Sequence, residues 1–178
     1  MMLADSRKEV ISQPVEAPIS ISAAPRSFLT THVESFMERL DELQAIFPDH
    51  WEELALDKDK TPLDPMWNVY AAREAAGEML FVTLRQRGRL VGYFAGFVAP
   101  GLHYRQCLTL TMDIYYTTPD IRGGTAGLRL MRAVMKEAKR RGVDRVYFGS
   151  KLHKDSGRLF QAMGMKPVET FYSAWIGG

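Results

Sequence analysis

The stretch Asp113-Ile-Tyr-Tyr-Thr-Thr-Pro-Asp-Ile-Arg-Gly-Gly-Thr-Ala-Gly-Leu128 decides how this chain folds. Through Thr117 it is aromatic and β-branched, the composition of a strand; Pro119 and Gly123-Gly124 then turn the chain, and helical spacing begins at Thr125. A strand that enters a helix through a glycine-rich turn lets backbone N–H groups converge. The helix N-terminus adds partial positive charge, so the place suits an anion such as a pyrophosphate. Tight packing alone also accounts for such a turn. The stretch has neither the Lys-Ser/Thr ending of a Walker loop nor the glycine spacing of a dinucleotide fingerprint, which removes those two readings.

Downstream, residues 125–141 carry Leu128, Met131, Val134, Met135 and Ala138 on one helical face, and Gly142 stands where a C′ glycine belongs. Arg145 to Gly149 reads as a short strand, about Asp155 to Met163 as a helix ended by Gly164, and Val168 to Ile176 as a final strand. Upstream, Met79–Leu84 and Arg89–Ala99 flank Arg85-Gln86-Arg87-Gly88 as a hairpin, and Gln106–Thr117 follows the loop from Pro100 to Arg105. Farther upstream, Val33, Phe36, Met37, Leu40, Leu43, Ile46 and Phe47 predict an amphipathic helix over 33–47 that Pro48 stops. Asp49 then reads as the N-cap of a second helix through Leu56, with Glu52 completing a capping box. Asp57 to Pro65 is a polar loop, and a third helix over 66–76 ends at Gly77. A short extended piece fits Ser27 to Thr31, and residues 1–26, with Pro14, Pro18 and Pro25, read as a mobile tail before a single domain over 27–178. Helices, an antiparallel meander, then strand-helix-strand-helix-strand make an α/β (α+β) chain with a mixed sheet and helices on its faces.

Composition fits that reading. A chain of 178 residues, 46% hydrophobic and 25% charged, fills one domain with a core and is not a disordered polymer. The longest apolar run, Leu90 to Leu102, is too short for a bilayer and is broken by Gly92, Gly96, Pro100 and Gly101, so no membrane partner is expected. Asp5, Arg7, Lys8 and Glu9 precede no apolar run, so no secretory signal is read and a cytoplasmic location is expected. Cys107 is the only cysteine and His32, His50, His103 and His153 are scattered, so neither a disulfide nor a metal site is expected. A net charge of +2 does not argue for nucleic acid. Arg129, Arg132, Lys136, Lys139, Arg140, Arg141 and Arg145 lie close together, which a solvated helix face explains, while a nucleic-acid-associated role stays as an alternative.

The order strand, Pro119, Arg122-Gly123, small residues, amphipathic helix, strand and then Ser156-Gly-Arg-Leu-Phe-Gln-Ala-Met-Gly164-Met165 resembles the GNAT superfamily of acetyltransferases over roughly residues 79–176. In its finer character it is similar to members from phage and bacterial genomes. The resemblance implies a mixed, mostly antiparallel central sheet flanked by helices, and an acetyl-CoA cosubstrate whose pyrophosphate rests on main-chain amides of Arg122, Gly123, Gly124, Thr125, Ala126, Gly127 and Leu128. Thr125 stands where the family usually has its middle glycine, and its hydroxyl is a candidate phosphate contact. The family splits its sheet after the loop's strand, which implies pantetheine binding by the backbone of Tyr116 and Thr117. The Ser156 to Met165 segment implies cofactor contacts from Ser156 and Phe160. Phe160 falls where many members carry the tyrosine that protonates the departing CoA thiolate, and a phenylalanine cannot do that.

The resemblance also implies direct attack of an amine on the thioester, with no covalent enzyme intermediate, which fits Cys107 as a core thiol. Asp113 is the leading candidate base, because aspartate is depleted in strands and an acid there, its pKa raised by desolvation, would accept the ammonium proton directly or through water. A solvent-facing aspartate is the plain alternative. Tyr115, Tyr116 and Tyr172 are candidates for orienting the acceptor or supplying the proton that Phe160 cannot, Glu169 is a second base, and His103 a weaker one. The acceptor is expected to be an amine-bearing small molecule or protein. Phe160 and Thr125 also keep open a non-catalytic acyl-CoA-binding or regulatory module. Fourteen residues follow Gly164, room for one strand. The exposed apolar edge that Val168 to Ile176 would make is expected either to pair in a homodimer or to be covered by the N-terminal helices.

Overall fold

A computed structural model describes residues 28–177; the tail expected over 1–26 lies outside them. The elements are β1 (Leu29–Val33), α1 (Leu40–Leu54), α2 (Trp67–Ala75), β2 (Met79–Gln86), β3 (Arg89–Gly101), β4 (Tyr104–Thr117), α3 (Ala126–Arg140), β5 (Arg145–Tyr147) and α4 (Gly157–Ala162), with 3-10 turns at Met37–Arg39 and Pro119–Ile121. The sheet runs β1-β2-β3-β4-β5, antiparallel as far as β4, with β5 parallel to β4. This is the expected mixed, mostly antiparallel sheet flanked by helices.

Sheet alternation divides the core between two layers. Leu80, Val82 and Leu84 of β2 pack with Val91, Phe94, Leu110 and the α3 residues Leu130, Met131 and Val134. Met79 and Phe81 face the other way, onto Phe36, Leu43 and Phe47. Because both faces are covered, β2 is a near-continuous apolar run, and each such side chain contributes about 1.5–3 kcal/mol by burial. The α3 face is rotated slightly from the expected one. Leu130 is fully buried whereas Leu128 and Met135 are half-buried. Gly77 and Gly142 take the positive φ expected of helix-ending glycines.

Three expectations are corrected. Val33 ends β1 rather than starting a helix, and α1 runs unbroken from Leu40 to Leu54 with Pro48 inside it. Proline there removes one N–H and crowds the carbonyl four residues back, yet Phe47 and His50 on either side are both buried, and their packing carries the helix through. Asp49 and Glu52 are therefore mid-helix residues, not a capping box. Second, β2 extends through Arg85 and Gln86, leaving Arg87 and Gly88, both at positive φ, as a two-residue turn. Arg85 then reaches Glu34 at 2.9 Å and Glu42 at 2.7 Å, tying β2 to α1 and to the chain after β1. Burial raises the Glu34 carboxyl, but bonds from Arg85, Thr83 and Arg39 outweigh it and hold it at about 2. Third, Val168 to Ile176 forms no strand. Strand-forming side chains need a partner edge to satisfy their backbone, and among the described residues none pairs with this segment.

Two irregularities of β4 shape the site. The β3–β4 register steps from Ala95↔Ile114 to Gly96↔Met112, leaving Asp113 as the extra residue of a β-bulge. Gly96 permits this close approach, since a Cβ there would stand 2.8 Å from the Thr111 carbonyl oxygen. β5 pairs with β4 only along Thr109–Thr111, so from Asp113 to Thr117 the outer edge of β4 has no strand partner among the described residues. No described helix is long and apolar enough to cross a membrane.

Candidate active site

The glycine-rich turn links the free end of β4 to α3. Gly123 takes φ +80°, open to glycine at no steric cost, and Thr125 is the N-cap of α3. Among the described residues no side chain caps the first turn of α3, and no acidic residue lies in that turn, which leaves its N–H groups placed to donate to an anion. The space in front of Gly123 and Gly124 is open, whereas a Cβ on Gly127 would meet Leu159 at 3.2 Å. Gly127 thus also lets α4 approach α3. Leu128 and Ala126 follow in the same turn, Ala126 buried in the core. The Thr125 hydroxyl accepts from Arg129 Nε at 3.3 Å, which brings a guanidinium beside the turn.

Arg122 is held from both sides. Its guanidinium pairs with both Glu53 oxygens at 2.6 and 2.7 Å and donates to the Thr117 carbonyl at 2.8 and 2.6 Å. It also lies 5.2 Å from the Tyr116 ring centroid. The bond to Arg122 lowers the Glu53 carboxyl despite partial burial, and Lys154 approaches the same carboxylate at 3.2 Å. Arg122 therefore clamps the turn to α1, and the Thr117 carbonyl is already engaged. Tyr116 is buried on the α1 side, stacked on His50 at 4.8 Å. His50 Nδ1 is 2.5 Å from the Tyr93 hydroxyl, and burial pushes its pKa down to about 4.

Asp113 is exposed, not buried: the bulge turns it out of the core, so the desolvation expected of it is absent. Its carboxylate instead accepts a 2.5 Å bond from Tyr70 of α2. Burial first, and then Asp113, raise the Tyr70 phenol well above its usual range, so it stays a donor. On the opposite face of β4, Tyr115 meets Ser156 hydroxyl to hydroxyl at 3.0 Å. Phe160 is buried there, its centroid 6.3 Å from Tyr115 and 5.6 Å from Phe148. Glu169 and Tyr172 are exposed in the segment that forms no strand, and Cys107 and His103 lie at the far end of the β3–β4 hairpin. The structure thus places Asp113 and Tyr116 on the face of β4 that meets α1 and α2, Tyr115, Ser156 and Phe160 on its other face, and Thr117 at the strand end that leads into the 122–128 turn.

The Acetyltransferase (GNAT) family model matches residues 38–165, most of the chain. The chain belongs to the GNAT acetyltransferase family. The match starts at Glu38, so α1 and α2 belong to the GNAT domain too, and it stops before the segment that forms no strand. Solved structures agree on the fold. Ribosomal-protein-alanine N-acetyltransferase from Brucella melitensis biovar Abortus 2308 aligns at TM-score 0.64 and 14% identity, over 84% of this chain and 100% of its own. An aminoglycoside acetyltransferase, HMB0005, from an uncultured soil metagenomic sample aligns at 0.66 and 14%, over 84% and 99%. A predicted acetyltransferase from Clostridium acetobutylicum, solved with acetyl-CoA, aligns at 0.62 and 11%, over 84% and 97%. No curated protein matches the chain by sequence. Of the site, Tyr70, His50, Glu53 and Lys154 were missed from the sequence, since each meets its partner across at least 43 residues of chain.

Proposed function

We propose that this GNAT protein transfers an acetyl group from acetyl-CoA to an amine by direct attack. The observation that carries it is a glycine turn with no side-chain cap standing beside an edge of β4 with no strand partner, both among the described residues, with a bulged aspartate on that edge. The turn from Gly123 to Leu128 offers main-chain donors to the pyrophosphate, and Arg129 adds positive charge beside it. The edge from Asp113 to Thr117 lines the pantetheine arm, with Arg122 holding that edge and the turn in fixed relation. A bulge leaves a peptide group out of the ladder, which supplies a donor for the charge that develops on the thioester oxygen. Asp113, oriented by Tyr70, takes the proton from the attacking amine, directly or through water. No group of described His, Cys, Asp or Glu residues has the arrangement of a metal site.

The acceptor is an amine-bearing small molecule or a protein, entering on the side where Asp113 is exposed beside the half-buried Tyr70. Two copies pair along the open side of β5 to complete that side of the cleft. The test is an acceptor screen following release of free CoA. Asp113→Asn should leave acetyl-CoA affinity unchanged and lower turnover by ~10²-fold or more. Turnover that persists with an unaltered pH profile places the base elsewhere.

A further inference from the structure

Departure of the CoA thiolate needs a proton, and position 160 carries no hydroxyl to give one. The ring beside it does. Tyr115 packs edge-on against Phe160, 6.3 Å between centroids, and its hydroxyl reaches past that ring to Ser156, 3.0 Å away. Ser156 is itself fixed: its backbone N–H donates to the Ser150 hydroxyl at 2.7 Å, and that hydroxyl donates to Asp155 at 2.7 Å. Tyr115 lies on the stretch of β4 that has left β5, two residues past the bulge, and its side chain points to the face opposite Asp113. An acceptor proton leaving on one face of the strand and a thiolate proton arriving from the other would not compete for one group.

We propose that Tyr115 is the acid that protonates the departing CoA thiolate, and that Ser156 resupplies its proton. This rests on the acetyl-transfer reading above. The amine nitrogen bonds to the acetyl carbon and gives its proton to Asp113; the carbon–sulfur bond breaks, and its electron pair stays on sulfur. That sulfur takes the proton from the Tyr115 hydroxyl. The phenolate is reprotonated through the Ser156 hydroxyl, which passes its proton on as it takes one from water, and Asp113 gives the amine's proton back to water, so products leave with the enzyme unchanged. A packing tie between β4 and α4 would use the same hydrogen bond, so the test must read chemistry.

Full-length wild type, Tyr115→Phe, Ser156→Ala and the double variant Tyr115→Phe/Phe160→Tyr are compared by two readouts. One is CoA release with an amine from the acceptor screen, across pH. The other, which needs no acceptor, is the ultraviolet titration of the thiol of bound free CoA. Tyr115→Phe should bind acetyl-CoA normally, lose at least ~10-fold in kcat together with the alkaline limb of its pH profile, and shift the thiol titration. Phe160→Tyr in that background should restore both, and Ser156→Ala should lower kcat with a smaller change in titration. A folded Tyr115→Phe protein with wild-type kcat, profile and titration overturns the assignment. So does a loss that Phe160→Tyr leaves unrepaired. Should Tyr115→Phe fail to fold, Ser156→Ala decides: wild-type kcat and pH profile in that variant overturn the proposal. A wild type that binds acetyl-CoA yet releases no CoA with any amine overturns the acetyl-transfer reading itself, whereas an unchanged titration alone overturns only Tyr115.

Discussion

Within the six residues from Arg122, three glycines answer to different constraints. Gly123 needs its left-handed backbone, Gly127 needs room for Leu159, and Gly124 is bound by neither. From the sequence alone, a bulky residue at Gly127 looks like the clean way to block the cradle. The contact with Leu159 makes Gly124→Val the better one, because it fills the open space without touching the fold. Acetyl-CoA at ~100 times its dissociation constant should stabilise the wild type by ~2.7 kcal/mol. Gly124→Val should lose that shift at an unchanged baseline Tm, while Gly127→Val should lower the baseline as well; calorimetry with and without acetyl-CoA reads both. His50 makes a second residue-scale prediction. Its pKa is about 4 when folded, against 6.5 for a free side chain, so between those pH values the unfolded chain binds a proton that the folded one refuses. Stability from keeping His50 neutral is complete above pH ~6.5 and falls as pH drops towards 4, by at most about 3 kcal/mol. Glu34 and Glu137, both held at about 2 against an ordinary 4.5, lose theirs as pH falls from 4.5 towards 2, so the two windows meet only near pH 4 and the interval from pH 7 to 5 reads His50. Denaturant titrations at pH 7 and 5 should show this slope in the wild type and its loss in His50→Gln.

At the scale of elements, α1 shows where local signals stop being enough. A helix-interior proline costs ~3 kcal/mol in an isolated helix, and here Phe47 and His50 bury around it instead of breaking. If packing offsets that cost without removing it, Pro48→Ala should stabilise the protein by about 1–3 kcal/mol, read as a raised denaturant midpoint at constant slope. An unchanged midpoint would mean that the helix has fully relaxed around the ring. Elsewhere the local signals sufficed. The meander from β2 to β4, α3, the positive-φ stops at Gly77 and Gly142, and the strand-turn-helix around Gly123 were all legible, because each depends on residues a few positions apart. The bulge was not: nothing near Asp113 announces a register step that Gly96 on β3 makes possible. Neither were Tyr70 on Asp113, His50 on Tyr93 or Arg122 on Glu53, which join positions 43 to 69 apart. Val168 to Ile176 misled for the converse reason, since strand composition is a local fact and strand pairing is not.

At the scale of the whole molecule, an apolar segment lies next to the outer edge of β5, which has no strand partner among the described residues. Met165, Lys166 and Val168 line a groove with Arg145, Val146 and Tyr147 of β5, and the chain then leads towards the loop after α1, where Lys60 stands 5.1 Å from the Trp175 ring. Between these points Phe171 and Tyr172 are 83% and 94% exposed, and Ile176 is 96% exposed. Trp175, the residue that the loop partly covers, is thus a poor place to test assembly, because a glutamate there would gain Lys60 as a partner. The exposed rings between are better placed. The segment does not pair with β5 of its own chain, and the outer side of β5 is an edge that any second copy also carries. Exchange of the two between copies is self-complementary, which is what a two-fold dimer requires. Sedimentation across a concentration series should then show a dimer, and Phe171→Glu should dissociate it without lowering the Tm of the monomer. If Tyr172 or Glu169 serves the cleft of the other copy, turnover should fall with the dimer, and mixing Phe171→Glu with Asp113→Asn should not exceed the sum of the two alone. A wild-type protein that stays monomeric at every concentration and still acetylates its acceptor rules this assembly out and leaves the cleft to be completed within one chain.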